Sequence, residues 1–236
     1  LPAEGLDVNQ EPSLAEGFTM SEQPVLIFAN GELQKPEWIQ RLAETARMII
    51  AADGGLQHVQ DLGLVPDILI GDLDSVTPEQ IQWAEDHNVE IRRFPADKDE
   101  TDLELALIAA AATGIRRMVI VGALGGRLDQ TLSNVLLLHL PILTNLDVRI
   151  DDGLQEVILI RDLLELAGTP GDLVSLLPLS PIVRGITTSG LKYPLNDESM
   201  IFFHSRGLSN RMLSDTARIE FQSGVLICIH EHQVNL

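Results

Sequence analysis

The sequence predicts an α/β fold, a mostly parallel sheet covered by helices, followed by a smaller all-β sandwich. Three observations predict it. Short aliphatic runs alternate with helix-forming stretches up to about residue 140, the pattern of a parallel sheet covered on both faces. From residue 146 the long helical patterns stop, and short strand-like runs follow, punctuated by Gly153, Gly168, Gly171, Gly185, Gly190, Gly207 and Gly224. Of the 236 residues 45% are hydrophobic and only 4% aromatic, so there is enough aliphatic material for a sizeable core. The expected division is a disordered arm over 1–22, an α/β domain over 23–145 and a β-sandwich domain over 146–236.

The arm is polar and carries Gly5, Pro12 and Gly17, with Met20 a candidate start. Pro24–Ala29 reads as the first strand, and a helix begins near Pro36. Arg47–Ala52, Asp67–Gly71, Val89–Phe94 and Met118–Gly122 read as four further strands. Helical stretches lie between them, near 54–62, 78–87, 101–113 and 129–140. The clearest is Thr101–Ala110, rich in strong helix formers. In the second half the strand-like runs are 146–150, 157–160, 173–177, 182–187, 200–203, 217–221 and 225–229.

The formal charge is −19, which repels nucleic acid and anionic membranes and argues against both as partners. The single cysteine, Cys228, lies in an apolar run and reads as a small core residue. No intrachain disulfide can form, no signal peptide is visible, and no apolar run is long enough for a membrane helix, so a cytoplasmic protein is expected.

Ligands of open α/β sheets sit beyond the carboxyl ends of the strands. Four segments fall there: Ala52-Asp53-Gly54-Gly55, Gly71-Asp72-Leu73-Asp74-Ser75, Asp97-Lys98-Asp99-Glu100-Thr101-Asp102 and Gly122–Gln130. Asp72 and Asp74 are two apart and leave an extended chain on one face. Asp99 and Asp102 are three apart at a helix start and can also face one way. Crowded carboxylates repel unless a cation sits between them. A hard cation with oxygen ligands, most simply Mg²⁺, meets that demand and directs attention to phosphate chemistry. Taken singly, Asp74-Ser75 and Thr101-Asp102 also read as helix caps. Gly54-Gly55 and Gly125-Gly126 precede helices, either to admit phosphate oxygens or to make tight turns. Lys98 and Arg127 are scarce cations beside acidic loops. Arg127 either clamps phosphate or pairs with Asp129. No P-loop, dinucleotide fingerprint or nucleophile elbow is present.

Two segments of the second half complete the pattern, Thr187–Leu195 and Gly207-Leu208-Ser209-Asn210. In this order the six blocks resemble the thiamine pyrophosphokinase (thiamin diphosphokinase) family, over about residues 24–232. The chain departs from it at Gln130, where many members have His, and at Tyr193, where some have Trp. The resemblance implies attack of thiamine's primary hydroxyl on the β-phosphorus of ATP, giving thiamine diphosphate and AMP. It also implies a Rossmann-like nucleotide domain, a β-sandwich thiamine-binding domain and a homodimer with sites shared between subunits. By motif match Asp72, Asp74 and Asp102 surround Mg²⁺, with Asp99 close by. Arg127, Asp129 and Gln130 lie near ATP, with Asp53, Gly54, Gly55, Lys98, Thr101, Gly125 and Gly126. Ser209 and Asn210 lie near thiamine. Asp99 or Asp102 orients or deprotonates the hydroxyl. Rival readings are a pyrophosphokinase for another alcohol such as a pterin, and a catalytically silent sensor of nucleotide or thiamine diphosphate.

Overall fold

The computed structural model describes residues 23–232, so the arm expected over 1–22 lies outside the described residues. At its centre is β1 (Val25–Phe28), all four residues buried. It pairs in parallel with β2 (Met48–Ala52) on one side and β5 (Arg117–Val121) on the other. β3 (Ile68–Gly71) and β4 (Glu90–Arg93) extend the sheet beyond β2, also in parallel. A strand covered on both faces has no polar side to present, which is why Val-Leu-Ile-Phe runs without alternation.

One face is covered by α1 (Pro36–Thr45), α2 (Gly55–Asp61) and α3 (Pro78–Asp86), through Ile39, Leu42, Leu56, Val59 and Ala84. The other face takes α4 (Asp102–Ala112), which buries Leu103, Leu107 and Ala110 among others, and part of α5 (Leu128–Leu137). Local chemistry sets the helix starts. Thr77 and Gln80 form a reciprocal capping box before α3, and the Thr101 hydroxyl accepts from the Glu104 N–H at 3.2 Å before α4.

The change of pattern at 146 does not interrupt the sheet. β6 (Asp147–Asp151) pairs in parallel with β5, and β7 (Gln155–Ile160) then turns back antiparallel on β6. β14 (Leu226–Glu231), β9 (Leu173–Pro178) and β12 (Asn210–Arg211) follow, making ten strands in the order β12-β9-β14-β7-β6-β5-β1-β2-β3-β4. A four-stranded sheet, ordered β11-β10-β13-β8, faces the antiparallel half; its strands are β8 (Leu163–Ala167), β10 (Ile182–Ser189), β11 (Glu198–Ile201) and β13 (Thr216–Glu220). Ile158, Val174, Leu226 and Cys228 from the large sheet pack with Leu166, Ile186 and Ile219 from the small one. That shared core makes the second half a β-sandwich. Cys228 is fully buried, and burial pushes its thiol up to about 12.

Two strands are not announced by the sequence pattern. β8 reads Leu-Leu-Glu-Leu-Ala, all good helix formers, yet it pairs with β13 over five residues. β12 is only two residues long and exists through its pairing with β9.

Candidate active site

A cleft of about 700 Å³ opens at the carboxyl ends of β1, β2, β3 and β5. The strand order reverses at β1, the switch point where open α/β sheets bind ligands. Asp53, Asp72, Asp74, Lys98, Thr101, Asp102, Gly125, Gly126, Arg127 and Gln130 all line it.

Tight backbone geometry brings the carboxylates together. β3 ends at Gly71, whose φ is +151°; a Cβ there would lie 2.9 Å from Asp102 Oδ1 and 3.1 Å from the Asp53 Cβ. Asp53 and Leu73 both occupy the left-handed region, at φ 45° and 65°. Such conformations in non-glycine residues cluster at functional sites. The Asp72 N–H donates to Asp102 Oδ1 at 3.3 Å, and the Asp74 N–H to Asp72 Oδ1 at 3.1 Å. The Ser75 hydroxyl donates to Asp74 Oδ1 at 3.0 Å.

One oxygen from each of Asp53, Asp72 and Asp74 lies within 4.8 Å of the others. Asp53 is 6% exposed, and its Oδ1 is buried without a hydrogen-bond partner. Burial pushes its carboxyl up, and the nearby charges of Asp102 and Asp74 add to that. A buried acceptor left unpaired beside two further carboxylates fits an all-oxygen site for a hard cation. Asp102, expected as the third carboxylate at the cation, is paired with Lys98, as is Asp72. The ammonium lies 2.9 Å from Asp102 Oδ1 and 3.4 Å from Asp72 Oδ2. Burial pulls the Lys98 ammonium down, but the two carboxylates outweigh burial and hold it above its usual value.

Arg127 stands at the start of α5, 73% exposed, in a two-pronged pair with Asp129 at 2.6 and 3.1 Å. α5 ties down the glycine turn beneath it: the Thr131 hydroxyl donates to Gly125 O and the Asn134 amide to Ala123 O.

Other expected residues lie elsewhere. Asp99 is exposed and, like Asp129, does not line the cleft. Gly54 and Gly55 serve packing: a Cβ at Gly54 would meet the Asn30 amide at 2.3 Å, and one at Gly55 the Phe28 carbonyl at 2.1 Å. Ser209 and Asn210 sit at the edge of the sandwich and do not reach the cleft of their own chain. Asn210 is spent on the backbone, accepting from the Tyr193 N–H and donating to the Tyr193 carbonyl at 3.0 and 2.8 Å. In the same half of the chain Tyr193, Phe203, Leu208 and Leu213 are exposed. Conversely, Asn30, Glu32 and Asn134 line the cleft without having been anticipated. Asn30 and Glu32 follow β1, and the strand-end rule applied there would have found them.

Fold and site together define an α/β protein with an acidic cleft at the topological switch point. Residues 39–150 match the family model described as thiamin pyrophosphokinase, catalytic domain, and residues 163–226 match thiamin pyrophosphokinase, vitamin B1 binding domain. Thiamine pyrophosphokinase 3 of Oryza sativa subsp. japonica is 30% identical over 192 residues, covering 71% of this chain and 72% of the relative. Thiamine pyrophosphokinase of Bacillus subtilis (strain 168) is 29% identical over 190 residues, covering 76% and 85%. A crystal structure of thiamine pyrophosphokinase from Bacillus subtilis superposes with a TM-score of 0.79 at 26% identity, covering 90% of this chain and all of that one. The chain belongs to the thiamin pyrophosphokinase family.

Proposed function

We propose that this chain transfers the diphosphoryl group of ATP to the primary hydroxyl of thiamine, releasing AMP, in a site completed by a second copy of the chain. The observation that carries the reading is the ring of Asp53, Asp72, Asp74 and Asp102 around one cleft, in a chain whose two halves match both parts of the family. Transfer of this kind is mainly positioning and electrostatic stabilisation. Asp53, Asp72 and Asp74 supply the oxygens for Mg²⁺. When bound, the ion neutralises charge on the phosphate oxygens of ATP. Lys98 fixes Asp72 and Asp102 against one another. Arg127 is exposed at the rim, and its pair with Asp129 is of the weak surface kind, so phosphate oxygens can take the guanidinium over. Asp102 faces the cleft and Asp99 does not, so orienting or deprotonating the hydroxyl falls to Asp102. Thiamine is a cation and suits an acidic site.

Self-association is supported by two exposed apolar surfaces. Leu128, Leu132 and Leu136 form a stripe on α5 and are 71%, 56% and 56% exposed. Tyr193, Phe203 and Leu208 are exposed in the sandwich half, Tyr193 bonded to Asn210 and Leu208 next to Ser209 in the chain. In a dimer the second surface can bring the thiamine contacts of one chain to the cleft of the other. Among the described residues no helix is long and apolar enough to cross a membrane. The cytoplasm, where ATP is abundant and thiols stay reduced, is the compartment proposed.

The test is AMP release from Mg-ATP with thiamine as acceptor, beside a pterin alcohol. Thiamine-dependent AMP is the expected result. AMP with the pterin alone, or none with either, overturns the proposal.

A further inference from the structure

Toward the end of β14 the apolar filling of the sandwich gives way to a buried polar cluster. Leu226, Cys228 and His230 alternate onto one face of β14, and His232 continues the alternation one residue past the strand. The antiparallel register sets His230 opposite Glu156 of β7, while Asp172 immediately precedes β9 on the other side. Asp172 is 1% exposed, His230 is fully buried, and the His232 side chain is 41% exposed. His230 Nε2 lies 3.0 Å from Asp172 Oδ2, and His232 Nδ1 lies 3.8 Å from the same oxygen. One ligand atom of each residue falls within 4.8 Å of the other two.

The surroundings are arranged around those atoms. The Thr169 N–H and hydroxyl both donate to the Asp172 carboxylate, at 2.8 and 2.9 Å, and fix its orientation. Gly168 leaves room above it: a Cβ there would stand 2.9 Å from both Asp172 Oδ2 and His230 Nε2. Behind the ring, His230 Nδ1 is buried without a hydrogen-bond partner, and Glu156 Oε2 is 3.6 Å from it. Arg149 holds the other Glu156 oxygen at 2.7 Å. With its proton on Nδ1, toward Glu156, the ring turns the Nε2 lone pair on a carboxylate oxygen. A second proton shared across the 3.0 Å between Nε2 and Oδ2 holds the pair together, and a cation ligated by both atoms would take its place.

We propose that Asp172, His230 and His232 bind a divalent cation of the zinc class, outside the acidic cleft, with Glu156 orienting His230 from behind. Two imidazoles and one carboxylate select a borderline metal over Mg²⁺, which prefers oxygen. A carboxylate behind a ligating histidine is the usual outer partner of such a site. Binding displaces the proton between Nε2 and Oδ2, which leaves to solvent. The ion then ties the end of β14 to the turn before β9, and the exposed side at His232 is its way in.

The experiment titrates Zn²⁺ calorimetrically into the tag-free, chelator-stripped full chain without nucleotide or thiamine. The Asp72→Asn, Asp74→Asn double variant should still bind one equivalent per chain. Adding His232→Ala, a change at a half-exposed side chain, should weaken that binding by more than the roughly 10–100-fold that loss of an outer partner costs. Co²⁺ in the double variant should give the intense visible bands of a low-symmetry nitrogen-ligated site. Absence of zinc binding in the double variant, retention of full affinity after His232→Ala, or the pale cobalt spectrum of an all-oxygen octahedral site would each overturn the proposal.

Discussion

Replacing Gly71 by Ala tests how tightly the carboxylates are packed at the end of β3. The new methyl would arrive 2.9 Å from Asp102 Oδ1, 3.0 Å from its Cγ and 3.1 Å from the Asp53 Cβ. Ordinary contacts begin near 3.4 Å. Both acidic side chains must therefore shift by several tenths of an ångström, or the strand end must. Alanine must also adopt a backbone conformation with φ near +151°. The strained backbone costs about 1–3 kcal/mol and the overpacking about 1–3 kcal/mol. For a chain of this size the sum corresponds to a fall in Tm of roughly 5–20 °C. Activity should fall further than stability explains, because the displaced groups are Asp53 and Asp102. Gly114→Ala is the control: its φ is +77°, and no atom lies within 4 Å of the added Cβ. It carries the backbone strain without the contact and should keep full turnover. Thermal unfolding and AMP release measured on both variants decide the matter. Equal Tm and equal turnover for Gly71→Ala and Gly114→Ala would refute the packing described for the cleft.

Asp72→Asn or Asp74→Asn should lower turnover at least ~100-fold at saturating Mg²⁺ while the chain stays folded, because metal stabilisation of a transferring phosphate is worth several kcal/mol; near-normal turnover in both would count against the assignment. Arg127→Lys should impair ATP saturation although charge is kept, since Lys lacks the planar fork, and the exposed position predicts an unchanged unfolding midpoint. Burial, with the charge of Glu156, pushes the Asp151 carboxyl up to about 7 from 3.8. The folded chain then holds more protons than the unfolded one between those values, so stability falls as pH rises through that window. Asp151→Asn should therefore raise Tm relative to the parent at pH 8 and change it little at pH 4. Finally, Asp72→Asn mixed with a Ser209→Ala, Asn210→Ala variant should regain up to about a quarter of parental activity after verified subunit exchange, by the symmetry of an isologous dimer; no recovery would assign each site to one chain.

Much of this architecture was legible because buried parallel strands announce themselves. Val25–Phe28 and Ile68–Gly71 are unbroken apolar runs, and the loop after the second carries Asp72 and Asp74. Spacing alone picked out the pairs Asp72 with Asp74 and Asp99 with Asp102, and the family resemblance was needed to single out Asp102. The role of Asp53 could not be read from spacing. Its place beside Asp72 and Asp74 depends on β2 lying next to β3, and its unpaired oxygen depends on burial. Lys98 likewise reads as a lone cation in an acidic loop, and only the start of α4 shows that it bridges Asp72 and Asp102. β8 was hidden by its own helix-forming composition, overridden by pairing with β13. The joining of β6 to β5 was hidden too, because a short alternating run carries no mark of which neighbour it will take.

The parallel pairing of β6 with β5, from Arg117↔Asp147 to Ile120↔Ile150, has a mechanical consequence. Many two-substrate enzymes close by swinging one lobe about a hinge between their halves. Here the hinge position is occupied by backbone hydrogen bonds of an uninterrupted sheet, and bending there would break them. The chain is a stiff frame. Movement that admits and releases substrates must therefore come from the rim, where Gly122, Gly125 and Gly126 all take positive φ beside the cleft, or from one whole frame shifting against another. Stiffening that rim, and not the junction between the halves, is what should slow product release.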